Sequence, residues 1–421
     1  MVNNIGFALK NEKREVIFAA ILLLVLSGPY FCWWITKNIM LRWIVTITLG
    51  FVFYKHKGRL SKCDAYIMAL YVITFFFTTI LSILKSNITF FGAIDCIPNL
   101  FLVYLLCANI NFSKKTYSYF SLFFAILMGL SIVAQLLFIF GLLPSVGSIV
   151  NPGQDRIYTV YPFLIREQTI DSFSIQSVRF AGTYDEPGAI GTIAAVLLCI
   201  DKFRIRKWKN MIFLITGFMS MSLAFYIILA VYSILHYLMI KRNVILTLAI
   251  IASMGIFYNY TKTNPVFETL IWDRLEWDEE KQGFAGEDRM VGDADYYFDK
   301  HIKGTPAYWF GLSDTKEFWK AAEGSASYKV VIAQNGMIFL SLYMLCFILL
   351  ALHYKPNKFE VALYLILLVA NTMQRPNIYS PLWIFLYAYY ARCYTEGQKS
   401  LLNENKKYFI FISSCFRKKN K

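Results

Sequence analysis

Tyr117-Ser-Tyr-Phe-Ser-Leu-Phe-Phe-Ala-Ile-Leu-Met-Gly-Leu-Ser-Ile-Val-Ala-Gln-Leu-Leu-Phe-Ile-Phe-Gly-Leu-Leu143 contains no Lys, Arg, Asp or Glu, and Lys114-Lys115 stands just before it. About 20 apolar residues in a helix cross a hydrocarbon core of about 30 Å, so this stretch predicts a membrane span. Further apolar runs cover 16–35, 39–54, 65–84, 91–110, 187–200, 211–240, 244–260, 328–352, 359–374 and 378–394. With a mean hydropathy of +0.48 and only 16% charged residues, the chain is excluded from the soluble globular class. It reads as an all-α, polytopic integral membrane protein.

Charge predicts the orientation of those runs. The net +15 is divided among Lys55–Lys62, Lys114–Lys115, Lys202–Lys209, Lys241–Arg242, Lys355–Lys358 and Arg417–Lys421. Such dispersal argues against a nucleic-acid partner and matches basic cytoplasmic loops. The N-terminus and Lys55–Lys62 are then inside, Thr36–Asn38 and Lys85–Thr89 outside, 144–178 outside and Lys202–Lys209 inside. As one helix, 211–240 would be about 45 Å long, with basic residues at both ends, so it predicts two short helices breaking near Gly217–Ser222. Counting that hairpin gives about twelve transmembrane helices, both termini cytoplasmic and one large extracytoplasmic loop, 261–327.

The predicted organisation is therefore N-terminal membrane helices over 1–143, a first outer loop over 144–186, and central helices over 187–260. The large outer loop 261–327, C-terminal helices over 328–395 and a basic cytoplasmic tail over 396–421 complete it. The first run follows Lys10, Lys13 and Arg14, lacks a small-residue cleavage site and reads as an uncleaved signal anchor. All eight cysteines lie in or beside apolar runs, in connectors or in the tail, so neither a disulfide framework nor a cysteine metal site is expected. The tail, Lys406 to Lys421, reads as a basic anchor for the anionic surface of the lipid bilayer.

The stretch richest in chemistry is Arg179-Phe-Ala-Gly-Thr-Tyr-Asp-Glu-Pro-Gly-Ala-Ile-Gly191. Pro187 suits the first turn of a helix, and Glu186 just ahead of it suits the positive end of the helix dipole. A helix cap with a neighbouring ion pair accounts for Asp185 or Glu186 alone. It does not account for Arg179, Gly182, Gly188 and both carboxylates together. Further arginines fall on the same predicted face: Arg156 and Arg166 in the first outer loop, Arg274 and Arg289 in the second, and Arg375 in Gln374-Arg-Pro-Asn377. Guanidinium groups bind phosphate oxygens in pairs and keep their charge when partly desolvated.

The large loop carries 14 acidic and 8 basic residues, for a formal charge of −6. A structureless loop of that length is uncommon. Trp272, Trp277, Trp309 and Trp319, with Phe267, Phe284, Tyr296, Tyr297, Phe298 and Tyr308, predict short amphipathic helices, a sugar-stacking surface or simple packing on the bundle. Histidines 56, 236, 301 and 353 are scattered, and His301 beside Asp295 and Asp299 reads as a solvated loop residue, so no metal and no cofactor are expected. Arg42, Asp95 and Gln135 are polar residues within or at the ends of spans, of secondary interest.

Four pieces resemble the bacterial superfamily of O-antigen and capsular polysaccharide polymerases and O-antigen ligases. They are the 179–191 stretch opening a helix, the broken span near Gly217–Ser222, the single large outer loop, and Ser325-Ala-Ser-Tyr-Lys-Val-Val-Ile-Ala-Gln-Asn-Gly336 leading into the next span. The resemblance covers roughly 90–395. It implies a GT-C-like, lipid-dependent glycosyltransferase of the inner membrane with its active site facing the periplasm or exterior. Its substrates would be undecaprenyl-pyrophosphate-linked glycan donor and acceptor, and a chain-length regulator protein its partner. Ligases commonly carry a His-Asn pair before the next span; Ser325–Tyr328 has none, which favours the polymerase. On this reading Arg179 and Arg289 hold the leaving pyrophosphate without a metal, and Glu186 takes the proton of the attacking hydroxyl with inversion. Gly182, Tyr184, Asp185, Arg166, Arg274, Arg375 and Tyr328 would contribute to substrate binding. A ligase transferring glycan to lipid A–core is the alternative. A polysaccharide flippase or transporter is a further one, against which the lack of an internal repeat weighs.

Overall fold

In the computed structural model the described residues are 2–84, 96–151, 156–168, 179–240, 242–279, 283–284, 290, 292–322, 327–374 and 378–393. Helices dominate. The first, α1 (Val2–Leu26), ends before Gly28-Pro29, where proline has no N–H to continue the ladder. A 3-10 turn (Tyr30–Cys32) and α2 (Trp33–Thr36) follow, and Tyr30–Thr36 is bent by 100° from Asn11–Leu26. The run 16–35 is thus not one straight span, and its second part turns across the end of the bundle. Asn38 caps α3 (Ile39–Lys55) by accepting from the Met40 and Leu41 N–H groups. Then come α4 (Lys62–Leu84), the short α5 (Cys96–Phe101) and α6 (Val103–Cys107), and the 30-residue α7 (Ile110–Ile139). That last helix starts earlier than 117, because the Asn109 side chain supplies a cap to the Asn111 N–H.

The expectation of an all-α chain needs one correction. Three strands, β1 (Gly147–Val150), β2 (Ile157–Tyr161) and β3 (Leu164–Glu167), form an antiparallel sheet inside the first polar segment. Its sequence alternates β-branched and aromatic residues with polar ones, a period-2 pattern that suits a pleated, half-buried surface. Tyr158 and Ile165 bury one face of the sheet against Trp33, which fastens the sheet to the α1–α2 corner.

Next is α8 (Pro187–Ile200), buried along nearly its whole length. The 211–240 run is two helices, α9 (Trp208–Met219) and α10 (Leu223–Leu235), separated by a turn in which Met221 takes φ 48°. Helix α11 (Val244–Thr261) follows. The large polar segment holds short helical turns over 265–275, a two-residue pairing of β4 (Trp277–Asp278) with β5 (Gly283–Phe284), and α12 (Gly292–His301), α13 (Pro306–Phe310) and α14 (Lys316–Ala321). Ala294, Phe298, Ile302, Phe318 and Ala322 bury themselves in the main core, so this segment is folded onto the bundle. Helices α15 (Tyr328–Tyr354), α16 (Lys358–Gln374) and α17 (Pro381–Arg392) complete the described chain.

By length and composition four described helices can cross a membrane: Lys62–Leu81, Ile110–Ile139, Val244–Thr261 and Tyr328–Tyr354. The count is five if the bent pair at the start is one span. The other apolar helices are shorter; α8, at 14 residues, extends only about 21 Å. An ion pair and a hydrogen bond mark one end of the bundle, where Lys202 meets Glu360 at 3.0 Å and the Tyr354 hydroxyl donates to Asp64 at 2.6 Å. Both long polar segments gather at the other end.

Candidate functional site

The 179–186 stretch is joined to that second end residue by residue. The Phe180 N–H donates to the Met219 carbonyl at 3.0 Å, the Ile165 N–H to the Gly182 carbonyl at 2.9 Å and the Tyr30 N–H to the Thr183 carbonyl at 2.8 Å. The buried Tyr184 hydroxyl meets Ser27 Oγ at 2.7 Å. Asn151 Nδ2 donates to Asp185 at 3.3 Å. The broken span, the sheet and the α1–α2 corner therefore all hold this one stretch. Glu186 occupies the N-cap of α8 with Pro187 in its first turn, and its side chain makes no capping hydrogen bond. A carboxylate at the amino end of a helix sits where the backbone dipole favours negative charge.

A cavity of about 660 Å³ opens beside this corner. One wall carries Asp185 and Glu186, with Lys37 of α2–α3 and Arg42 of α3 also in the lining. The other walls bring Asn99 of α5, Gln334 of α15 and Tyr379 before α17, and tryptophans 33, 43, 319 and 383. Trp319 comes from the large polar segment and Glu186 follows the first, so both segments contribute to one chamber. Burial pushes the Asp185 carboxyl above its ordinary value, and the adjacent Glu186 charge adds to the rise, against the pull of Lys37. Two neighbouring carboxylates in unequal surroundings, facing cations, offer a proton acceptor and an anion seat in one volume of the size usual for ligand sites.

The other predicted residues fall around this chamber. Arg179 is not in its lining: its Nε donates to the Ser220 carbonyl at 3.3 Å and its Nη2 to the Met221 carbonyl at 3.5 Å. It therefore satisfies carbonyls left open at the end of α9. Gly182 packs against Ser131 of α7. Arg166 lies in β3 with its guanidinium 4.3 Å from the Phe138 ring, and burial lowers its pKa. Arg156 pairs with Glu167 at 3.5 Å. Arg274 sits half-buried in a 3-10 turn after the Leu270–Ile271 cluster, its pKa also lowered by burial. Tyr328 begins α15 and packs on the main core. Asp295 forms an ion pair with Lys329 at 2.5 Å. Arg289, Arg375 and Asp95 lie outside the described residues. Among the described residues no three His, Cys, Asp or Glu side chains are grouped to hold a metal ion.

Lys37, Asn99, Gln334 and Tyr379 did not stand out as site residues in the sequence. Lys37 is one lysine in a short connector, and Asn99 is one amide in an apolar run. Gln334 had a signal, since it lies in the Gln-Asn-Gly piece that precedes a span. Trp319 had one too, as part of the aromatic content of the large loop.

Compared with known proteins, the chain matches no family model, and no curated protein or solved structure matches it.

Proposed function

We propose that this chain is a polysaccharide polymerase of the bacterial inner membrane, joining undecaprenyl-pyrophosphate-linked repeat units on its outer face. The observation that carries the reading is the chamber in which the Asp185–Glu186 pair meets Lys37 and Arg42 among tryptophans. In this reading the short apolar helices and the α9–α10 hairpin add to the longer spans to give about twelve crossings, with the chamber facing outward. The acceptor sugar's hydroxyl oxygen bonds to the donor's anomeric carbon as the carbon–oxygen bond to pyrophosphate breaks. The hydroxyl proton passes to Glu186, and the configuration inverts. Lys37 and Arg42 hold the charge that develops on the leaving pyrophosphate, the role first assigned to Arg179 and Arg289. Fixed cations in a partly desolvated chamber stabilise such charge far better than water does.

The test is repeat-unit polymerisation in a deletion strain complemented with variants, read as polymer length on gels at matched expression. Glu186→Gln should cut polymerisation by about 10²–10⁴-fold, the usual contribution of a general base, leaving products with a single repeat unit. Wild-type polymer length from Glu186→Gln would remove the residue from the chemistry. The carrier reading draws on α1, α8 and α17, which all end at the chamber, a trait shared with transporters built on broken helices. Loss of a carrier would leave no repeat units at the outer surface. Loss of a ligase would leave full-length polymer on the lipid pyrophosphate.

A further inference from the structure

In the same chamber as the carboxylates, Gln334 has its two amide ends in unlike circumstances. Its Oε1 accepts from the Tyr379 hydroxyl at 3.2 Å, so the acceptor end is engaged. The amide nitrogen, with two N–H donors, makes no hydrogen bond to protein among the described residues. Trp319 stands at the same chamber with 42% of its surface exposed, against 2% for Trp33 and 6% for Trp383. One backbone junction ties the stretch leading to Trp319 to the half-helix that carries Gln334. Helix α15 is interrupted at Gly336, which takes φ 84° and ψ 161°. A Cβ there would lie 2.2 Å from the Trp309 carbonyl oxygen, and one at Gly311 would lie 2.6 Å from that of Gln334. The Leu312 N–H donates to the Ala333 carbonyl at 2.8 Å. Trp309–Leu312, seven residues ahead of Trp319, is thus locked to the half-helix that carries Gln334.

An indole face offers apolar contact to the C–H face of a pyranose, and a donor-only amide requires an oxygen acceptor on the ligand. We propose that Trp319, Gln334 and Tyr379 form the seat of an uncharged sugar, read through an oxygen acceptor such as a hydroxyl or an acetamido carbonyl. The inference rests on the polymerase reading in making this sugar the acceptor's terminal residue; the seat itself rests only on the geometry. The chamber already holds the Asp185 and Glu186 carboxylates, so a uronic acid would bring a third negative charge into it, whereas an uncharged ring leaves Lys37 and Arg42 to the phosphates.

Gln334→Glu separates the parts of this claim, because it keeps an acceptor for Tyr379 and removes the two donors. The purified full-length protein is titrated with methyl N-acetylglucosaminide, methyl glucoside and methyl glucuronide, followed by tryptophan fluorescence. Wild-type protein should bind at least one uncharged glycoside more tightly than the glucuronide. Gln334→Glu should weaken that binding at least tenfold with an unchanged melting temperature, and Trp319→Ala should abolish the fluorescence response. Equal affinity in wild type and Gln334→Glu, or preference for the glucuronide, overturns the seat. In the polymerisation assay Gln334→Glu should raise KM for acceptor with little change in kcat. Sugar binding that depends on Gln334 in a protein with no polymerase activity would retain the seat and reject the polymerase. Normal polymerisation with an unchanged acceptor KM in Gln334→Glu would do the reverse.

Discussion

Arg179 shows how one residue's chemistry depends on where its side chain is spent. Its guanidinium closes the carbonyls of Ser220 and Met221, so it holds the 179–186 stretch against the broken span. Removing a charged donor from such carbonyls costs about 1–3 kcal/mol. Arg179→Ala should lower the melting temperature in detergent and reduce activity together, while Arg179→Lys should recover part of both. A variant of normal stability that is nevertheless inactive would return Arg179 to the reacting atoms. Asp185 makes a prediction in pH. Burial raises its carboxyl pKa above 3.8 in the folded chain, so between 3.8 and the raised value the folded state binds more proton than the unfolded one. Its contribution to stability is therefore neutral below that window and unfavourable above it. Asp185→Asn should melt higher than wild type at neutral pH, and the difference should shrink as pH falls towards about 4. A gain that is constant with pH would assign the effect to packing.

Among the elements, breaks in the helices do most to shape the chamber. The α1–α2 bend brings Lys37 to it, the α9–α10 turn receives Arg179, and the Gly336 interruption turns Gln334 inward. The last is the most constrained, because φ 84° with ψ 161° is open essentially only to glycine and the Trp309 carbonyl occupies the place of a Cβ. Gly336→Ala should destabilise the protein by about 3 kcal/mol and expose the large polar segment to protease before the spans unfold. Unchanged proteolysis with an unchanged melting temperature would mean that the junction relaxes freely. Gly191, by contrast, marks a close approach of α8 to the α9–α10 turn, since a Cβ there would lie 2.5 Å from Ser220 Oγ.

For the whole molecule, the two ends of the bundle differ in character. One gathers the cations of the short connectors, the ion pairs of Glu360 and the hydrogen bonds to Asp64; the other gathers the sheet, α12–α14 and the chamber. If the chain sits in the membrane as proposed, Ser313→Cys should react with an impermeant maleimide in intact cells. Arg206→Cys should react only after permeabilisation, both in a background with the native cysteines replaced. Both residues lie in exposed stretches. The opposite pattern would put the chamber on the cytoplasmic side and overturn the proposed orientation.

Helical character was legible in residues 117–143 and 244–260 alone, because apolar length is a local property and the bilayer rewards it locally. The break near Gly217–Ser222 was legible too, from a run too long for one crossing with basic residues at both ends. So was the carboxylate pair at the head of α8, through Pro187. The sheet over 147–167 was less legible, since four-residue strands carry too few periods to separate from a loop. Only the tertiary structure decided that Arg179 faces carbonyls while Lys37, Asn99, Gln334 and Tyr379 line one chamber with Glu186. Those residues come from separate helices and connectors, and side chains far apart in the chain are brought together by bends and packing that no local pattern encodes.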